Sequence, residues 1–256
     1  MSYIEDIFSL KGRLALVTGA SSGIGLHASN LFATAGAAVA LAARRADWVE
    51  NAVQAIQDRG GRAAGFEVDV TDPATIPRLF DAIEKEFGEG PDILLNNAGV
   101  IVAEKFLQMT ESQFDHVLDT NLKGSFLVAQ EGARRMVTKK RGSIINVTST
   151  SALRAAGLMV SYGAANAGLI HATRIMALEL AGRGIRVNAI CPGNIETDMQ
   201  SALAEYKEPM IRRTPLHRFG KPEDLDGALL LLASEAGRYM TGSVITIDGG
   251  VTLSWM

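Results

Sequence analysis

The feature that most constrains the fold is a regular alternation of short apolar runs with stretches of helical pattern. Apolar runs without polar alternation are typical of strands that are buried on both faces of a sheet. The predicted strands span residues 14–17, 38–42, 63–68, 93–95, 143–148, 185–190 and 244–247. The predicted helices span residues 24–34, 47–59 and 73–87, two helices within 111–138, and residues 161–181 and 222–233.

This alternation predicts an α/β fold in which seven mainly parallel strands form one sheet with helices on both faces. Because parallel crossovers are right-handed, the sheet is expected to be doubly wound. Such sheets bind their ligands at the carboxyl ends of the strands, so a site is expected at that edge. No linker, repeat or low-complexity tract divides the chain, which predicts a single domain over residues 1–256.

The composition excludes several classes of function. The chain has 25 Lys and Arg against 28 Asp and Glu, and its net charge of −3 gives no general attraction to nucleic acid or anionic membranes. Its one cysteine, Cys191, cannot form an internal disulfide, which fits a reducing compartment. Residues 14–43 carry no formal charge, but serines and glycines interrupt the run, so it is not expected to cross a membrane. Residues 1–12 contain no apolar leader, and a soluble cytoplasmic protein is expected.

A glycine-rich loop follows the first predicted strand and leads directly into a helix. Residues 18–25 read Thr-Gly-Ala-Ser-Ser-Gly-Ile-Gly. Glycines let the backbone approach a pyrophosphate closely, and the N–H groups of a helix N-terminus attract it. The spacing is Gly-x3-Gly-x-Gly and not the usual Gly-x-Gly-x-x-Gly of dinucleotide-binding loops. The glycines before a helix still favour nucleotide binding on a Rossmann-type sheet, although a plain turn between strand and helix would also use glycines. The candidate binding residues are Gly19, Ser21, Ser22, Gly23, Ile24 and Gly25.

The end of the second predicted strand suggests which nucleotide binds. It reads Ala42-Ala43-Arg44-Arg45. An NAD site usually has an acid near this point for the ribose 2′-hydroxyl, whereas an arginine accommodates a 2′-phosphate. Because the acid is missing and a guanidinium can bind phosphate with two hydrogen bonds, Arg44 and Arg45 favour NADP(H) over NAD(H). The other interpretation is that both arginines lie on a solvated helix start.

Further along the chain, short motifs occur in a fixed order. They are Asp69-Val70, Asn96-Asn97-Ala98-Gly99, Asn121, Ser149, Tyr162, the segment 191–197 and the segment 239–250. Together with the glycine loop they cover nearly the whole chain and resemble the classical short-chain dehydrogenase/reductase family. Within it, the pattern is similar to that of the 3-oxoacyl reductases and gluconate dehydrogenases.

The resemblance implies further contacts with NADP(H). Asp69 and Val70 are expected to flank the adenine, and Pro192, Gly193 and Thr197 to hold the nicotinamide carboxamide. The full set of implied contacts beyond the glycine loop and the two arginines is Asp69, Val70, Asn97, Ala98, Gly99, Thr120, Tyr162, Asn166, Pro192, Gly193, Ile195 and Thr197. Residues of about 197–215 resemble the mobile substrate lid of the family.

The resemblance also implies a catalytic group of Ser149, Tyr162 and Asn121. A substrate carbonyl could accept hydrogen bonds from the serine and tyrosine hydroxyls, with the tyrosine giving or taking the proton. A free tyrosine has a pKa near 10, so in the family a neighbouring cation must lower it. Asn121 is expected to mark a helix kink that holds a relay water, and its other interpretation is a helix cap.

One position departs from the family pattern. The family has a lysine four residues after the tyrosine, beside it on the helix, and this sequence has Asn166 there. Asparagine can bind a ribose but supplies no charge, and an opposite charge within ~4–6 Å typically moves a pKa by roughly 1–3 units. Reduced or abolished activity is therefore expected. Three explanations stay open: a deliberate Lys-to-Asn variant, a natural member with altered activity, and a non-catalytic binding protein.

Two functions follow from the sequence. The first is an oxidoreductase that transfers a hydride between NADP(H) and a small ketone or secondary alcohol, with no metal. The second is a non-catalytic NADP(H)-binding sensor or scaffold protein. No nucleic-acid or membrane partner is expected, and family members commonly form homotetramers through two long helices, here those within 111–138 and 161–181. Arg154 is either a substrate-recognition residue or a surface arginine.

Overall fold

The structure is a computed structural model that describes residues 2–198 and 205–253. Its strands are β1 (Leu14–Thr18), β2 (Ala38–Ala43), β3 (Ala63–Glu67), β4 (Ile93–Asn96), β5 (Gly142–Val147), β6 (Ile185–Pro192) and β7 (Val244–Ile247). Its α-helices are α1 (Tyr3–Phe8), α2 (Gly23–Thr34), α3 (Ala46–Gln57), α4 (Thr75–Phe87), α5 (Glu111–Leu118), α6 (Ser125–Lys139), α7 (Val160–Leu180), α8 (Lys207–Arg213) and α9 (Asp226–Ala233).

The strands form one seven-stranded sheet in the order β3-β2-β1-β4-β5-β6-β7, and every neighbouring pair is parallel. The chain moves outward from β1 to β3 and then crosses to the other side of β1 to form β4. The strand order therefore reverses between β1 and β4, which is the point where doubly wound sheets bind ligands. The predicted Rossmann-type sheet is confirmed.

The hydrophobic core lies in two layers, one on each face of the sheet. Successive strand residues point to opposite faces, so Ala15 and Val17 of β1 pack in the layer that contains α2, α3 and α9. Leu14 and Leu16 pack in the other layer, with α4, α6 and α7. Because helices cover both faces, β1 is buried along its whole length, which explains its uninterrupted apolar run.

A line of buried polar side chains ties β4, β5 and α7 together. The Asn96 amide nitrogen donates to the Ser125 carbonyl and to the Asn146 side-chain oxygen, both at 3.0 Å. The Asn146 amide nitrogen in turn donates to the Thr173 hydroxyl at 2.8 Å. Since buried polar groups are stable only when they are hydrogen-bonded, this line fixes α7 against the middle of the sheet.

Two helices begin later than predicted because a capped turn precedes them. The Asp72 carboxylate accepts the Ala74 N–H at 3.0 Å and the Asp72 carbonyl accepts the Thr75 hydroxyl at 2.8 Å, so α4 begins at Thr75 rather than at 73. The predicted helix over 222–233 is a 3₁₀ turn, Pro222–Leu225, followed by α9.

Two short helices, α1 and α8, were not predicted. α1 is only six residues long and buries none of them, although Ile4, Ile7 and Phe8 have helical spacing. A reciprocal pair of hydrogen bonds between Ser2 and Glu5 holds its first turn instead. No helix in the part of the chain that the structure describes has the length and apolar character needed to span a bilayer.

Candidate active site

A cleft of about 540 Å³ opens at the carboxyl ends of the strands, where the strand order reverses. Ala43, Val68, Val100 and Asp198 line it although the sequence did not predict them. The predicted cofactor-binding residues that line it are Gly19, Ser21, Ser22, Gly23, Ile24, Arg44, Arg45, Asp69, Val70, Asn97, Ala98, Gly99, Thr120 and Thr197. Gly25, the remaining predicted loop residue, does not line the cleft and instead lies against the Gly19 carbonyl and the Asn97 side chain.

The loop between β1 and α2 has a shape that requires glycine. Gly19 and Gly23 have φ values of +65° and +54°, in the left-handed region that other residues rarely adopt. A Cβ on Gly25 would collide with the carbonyl oxygen of Gly19, and one on Gly23 would lie 3.2 Å from the Thr197 methyl carbon. Side chains here would fill the space beside the N-terminus of α2, so the loop forms a cradle that fits a phosphate group.

The ends of β1 and β4 are joined by reciprocal hydrogen bonds. The Asn97 side-chain nitrogen donates to the carbonyls of Thr18 and Gly19 at 3.1 and 3.2 Å. The Thr18 hydroxyl accepts the backbone N–H groups of Asn97 and Ala98 at 3.0 and 3.1 Å. Thr18 thus holds the glycine loop in place. Its position as the last residue of an apolar strand is the signal that points to it.

The outer end of the cleft carries the two arginines. Arg45 donates from Nη2 to the Ser21 and Ser22 hydroxyls, both at 3.1 Å, and its guanidinium lies over the ring of Trp48. Arg44 is exposed at the rim. Both arginines do flank the start of α3, yet they also line the cleft, so the solvated-helix interpretation does not describe their full surroundings.

Asp69 lies two residues after β3 and lines the same cleft as these arginines. Its carboxylate accepts the backbone N–H of Thr71 at 2.9 Å and the Thr71 hydroxyl at 2.7 Å. These hydrogen bonds hold the pKa of Asp69 below its ordinary value, and the charge of Arg44 acts in the same direction. The carboxylate is therefore charged near neutral pH and partly balances Arg44.

A smaller pocket of about 90 Å³ continues the cleft toward β5 and α7. Five residues, Ile24, Asn97, Ala98, Gly99 and Thr197, line both cavities. The pocket brings together the remaining predicted site residues, which are Asn121, Ser149, Tyr162, Asn166, Pro192, Gly193 and Ile195. Residues from six separate segments of the chain therefore meet at one end of the cleft.

Tyr162 lies in the first turn of α7, beside Ser149 at the end of β5. Burial raises the pKa of the Tyr162 hydroxyl above its ordinary value, and the neighbouring Cys191 thiol acts in the same direction. Hydrogen bonds with the Ser149 and Asn166 side chains oppose this rise without overcoming it. The tyrosine is consequently protonated at neutral pH.

Asn166 occupies the position next to Tyr162 on the following turn of α7. Only 3% of it is exposed, and its side-chain nitrogen donates to the Tyr162 backbone carbonyl at 2.9 Å. The side chain is therefore hydrogen-bonded to the backbone of its own helix, one turn earlier, and adds a neutral amide to the pocket. The side chain at this position brings no positive charge to the tyrosine.

Asn121 lies inside a six-residue π-helical segment, Asp119–Gly124, between α5 and α6. Its side-chain oxygen accepts the Val100 N–H at 2.8 Å and its nitrogen donates to the Val100 carbonyl at 2.9 Å. The widened turn agrees with the predicted kink, and such turns are frequent at functional sites. The helix-cap interpretation is wrong, because Asn121 bonds a loop across the site and not the end of a helix.

The turn after β6 forms the floor of the pocket. Gly193 packs so closely that an added Cβ would lie 2.8 Å from the Cα of Asp248. Ile195 is buried, and Thr197 reaches the glycine loop. The predicted lid of about 197–215 follows this turn; within it α8 is helical, whereas residues 199–204 lie outside the described residues.

Arg154 lies outside both cavities. Its Nη1 donates to the Val251 carbonyl at 2.6 Å, and its backbone N–H donates to the Thr150 carbonyl at 2.9 Å. The exposed side chain thus ties the loop after Ser149 to the C-terminal segment, which supports the surface interpretation over substrate recognition.

Comparison with known proteins agrees with this architecture. A family model described as enoyl-(acyl carrier protein) reductase matches residues 19–252. The chain is 39% identical to the 3-oxoacyl-[acyl-carrier-protein] reductase of Thermotoga maritima, over 95% of this chain and 99% of that protein. A crystal structure of a short-chain type dehydrogenase/reductase from Mycobacterium marinum superposes with a TM-score of 0.94 at 41% identity, covering 96% of this chain and 98% of that chain. The chain belongs to the short-chain dehydrogenase/reductase family.

Another similar structure of this fold was determined with bound ligands. The gluconate 5-dehydrogenase of Burkholderia cenocepacia was crystallised with NADP and tartrate. It superposes with a TM-score of 0.95 at 32% identity, covering 99% of this chain and 100% of that chain. The similarity spans the whole sheet and both helical layers, so it includes the elements that carry the cleft and the pocket.

Proposed function

We propose that this chain is an NADP(H)-dependent oxidoreductase that acts on a ketone or secondary alcohol, and that Asn166 reduces or abolishes its activity. The observation that carries the proposal is the continuity of the two cavities. A glycine-lined cleft that fits a dinucleotide leads directly into a pocket that contains the Ser149 and Tyr162 hydroxyls. The family to which the chain belongs transfers hydride with a nicotinamide cofactor, which supports the same reaction here.

The cleft has the groups that a dinucleotide requires. The glycine loop and the N-terminus of α2 would hold the pyrophosphate, and Asp69 and Val70 would flank the adenine. Pro192, Gly193 and Thr197 would hold the nicotinamide end, beside Tyr162. When bound, the cofactor supplies or accepts the hydride, which no protein side chain can do.

The arginines favour the phosphorylated cofactor. β2 ends without an acid, and Arg44 and Arg45 line the outer cleft where a 2′-phosphate would lie. The relative from Burkholderia cenocepacia, which holds NADP, supports this assignment. The expected result of calorimetric titration is tighter binding of NADP⁺ than of NAD⁺, and tighter binding of NAD⁺ would contradict the cofactor assignment.

Ser149 and Tyr162 are the proposed catalytic residues. Their hydroxyls would both donate to a substrate carbonyl oxygen, and Tyr162 would deliver its proton to that oxygen during reduction. Because burial raises the pKa of Tyr162, the hydroxyl is protonated and is prepared for reduction more than for oxidation. Asn121 would support the site by holding the Val100 backbone in place.

The absence of a cation at Asn166 favours a second candidate, a non-catalytic NADP(H)-binding sensor or scaffold. A panel of ketones with NADPH separates the two functions when it is assayed with the present chain and with Asn166→Lys. Turnover by the present chain supports an active oxidoreductase, and turnover by the lysine form alone would mean that the present chain is a disabled enzyme. Silence of both forms, with NADPH binding intact, would favour the sensor or scaffold.

A homotetramer is the proposed assembly. The outer face of α7 exposes Ile175 and Leu178, which are 47% and 82% accessible, and α6 exposes Phe126. Apolar side chains of this size on two long helices fit an interface between copies of the chain. Light scattering at micromolar concentration tests it, and a monomer would contradict it.

We also propose a cytoplasmic location, which suits the single buried thiol of Cys191. A single domain over 1–256 and a substrate lid over about 197–215 are proposed as well.

A further inference from the structure

Trp48 makes an unusual contact at the rim of the cleft. It lies near the start of α3 and 51% of it is exposed, while the core face of the same helix is formed by Val49, Ala52 and Ile56. Its ring supports the guanidinium of Arg45, whose central carbon lies 4.4 Å from the ring centroid. A large aromatic ring therefore stays outside the core and stacks on the guanidinium of Arg45.

The same guanidinium also makes hydrogen bonds to the glycine loop. Nη2 of Arg45 donates to the hydroxyls of Ser21 and Ser22, each at 3.1 Å. An exposed arginine ordinarily samples many rotamers, and ordering it has an entropic cost. Here stacking on the indole and hydrogen bonds to two hydroxyls of the glycine loop both act on the guanidinium and favour one position beside that loop.

Arg44 differs from Arg45 in how it is held. It is exposed at the rim and acts on Asp69 through its charge, since the pKa of Asp69 is lowered first by the Thr71 hydrogen bonds and then by Arg44. Arg45 is thus the pre-positioned cation of the pair. Trp48 itself does not line the cleft, so any effect that it has on a ligand must pass through Arg45.

We propose that Trp48 is a positioning residue that holds Arg45 over the phosphate-binding end of the cleft and so increases selectivity for the 2′-phosphate of NADP(H). The inference rests on the proposed cofactor. A cation held in place by stacking loses less freedom when the phosphate binds, so affinity improves without a direct contact between Trp48 and the ligand. The ligand class that depends on Trp48 is an adenosine carrying a 2′-phosphate.

The test is calorimetric titration of Trp48→Ala, Trp48→Leu and Trp48→Phe with NADP⁺, NAD⁺, 2′,5′-ADP and 5′-AMP. We expect the Ala and Leu variants to bind NADP⁺ and 2′,5′-ADP about two- to fivefold more weakly, the range that an exposed cation–π contact supports. Binding of NAD⁺ and 5′-AMP stays at the parent value. The Phe variant, which keeps a ring face, retains most of the parent affinity. Tyr239→Ala is the matched control, because it removes a fully exposed aromatic ring away from the cleft.

A double-mutant cycle shows whether the effect passes through Arg45. Trp48→Ala has no further effect on NADP⁺ in an Arg45→Ala background if the inference holds. An equal loss in that background, an equal loss for NAD⁺, or no loss at all would overturn it. If Arg44→Ala/Arg45→Ala still prefers NADP⁺ over NAD⁺, the two arginines are not the source of the preference and the inference fails with them. Tighter binding of NAD⁺ than of NADP⁺ by the parent chain would instead show that the cofactor assignment is wrong, and this outcome is distinct from the failure of Trp48 alone.

Discussion

The outer cleft and the inner pocket share one edge of the sheet but are built in different ways. The cleft is shaped mainly by backbone: left-handed glycines, the N-terminus of α2, and the hydrogen bonds that join Thr18 to Asn97. The pocket depends on individual side chains, above all the Tyr162 hydroxyl and the group beside it. The sequence motifs of the cleft resemble the family pattern, whereas Asn166 in the pocket is the position predicted to depart from it.

The difference separates binding from chemistry. A cradle of backbone groups keeps its shape when one side chain changes, so cofactor binding is expected to survive the departure at Asn166. Proton transfer depends on the pKa of one hydroxyl, which a single neighbouring charge can change by roughly 1–3 units. Four substitutions test this separation, from the largest expected effect to the smallest.

The largest effect is expected for Tyr162→Phe, made in the Asn166→Lys background so that activity is measurable. Removing the proton donor should lower kcat for ketone reduction about 10²–10⁴-fold. The NADP⁺ dissociation constant should change little, because the cleft is unaltered. Steady-state kinetics and calorimetry measure the two quantities, and unchanged kcat would remove Tyr162 from the mechanism.

Restoring the cation with Asn166→Lys should raise kcat for alcohol oxidation about 10- to 10³-fold at neutral pH. In the present chain burial raises the pKa of Tyr162, so oxidation should increase only in alkaline solution. The lysine should lower that pKa and move the rise in the pH–rate profile to lower pH. Asn166→Met is the control, because methionine is similar in length to lysine but carries no charge. An equal gain in kcat for this variant would exclude a charge effect.

At the outer end, Arg44→Ala should weaken NADP⁺ binding about tenfold or more, the scale of one charge-assisted hydrogen bond. NAD⁺ binding should be unaffected. Lys123→Ala, which removes a cation that instead pairs with Asp119, serves as the control for net charge. Equal weakening of both nucleotides would indicate general damage to the cleft and not loss of a phosphate contact.

The smallest effect tests the backbone cradle through stability. Gly25→Ala places a methyl group against the Gly19 carbonyl and should reduce the free energy of unfolding by about 1–3 kcal/mol. Gly227→Ala is the control, because Gly227 also lies in a helix and an added Cβ there meets open space. Chemical denaturation measures both variants, and an equal loss in the two would contradict the close approach at Gly25.

Much of the fold followed from the sequence because the sheet is buried on both faces. Continuous apolar strands and their spacing predicted the seven strands, and the glycine loop predicted where the ligand edge lies. α1 was missed since its first turn is stabilised by a cap and not by a buried stripe. The start of α4 was misplaced because Asp72 caps a turn that delays the helix.

The site was harder to predict in detail. Motif order placed Ser149, Tyr162 and Asn121 in one region, and the structure brings them into one pocket. The π-helical turn and the bonds from Asn121 to Val100 are backbone events that a hydrophobic pattern does not show. The contact of Trp48 with Arg45 likewise depends on side-chain direction across the start of α3, which residue spacing does not specify.

The buried line from Asn96 through Asn146 to Thr173 has a consequence for how mutations would present themselves. The chain continues from β5 to Ser149, and α7 carries Tyr162 about three turns before Thr173. The line of hydrogen bonds therefore fixes the spacing between the Ser149 and Tyr162 hydroxyls. A substitution such as Thr173→Val would leave the pocket's own residues intact but allow their spacing to drift. A genetic screen for lost activity should therefore recover deep core positions such as Thr173, where the unpaired Asn146 amide would also lower the free energy of unfolding by about 1–3 kcal/mol.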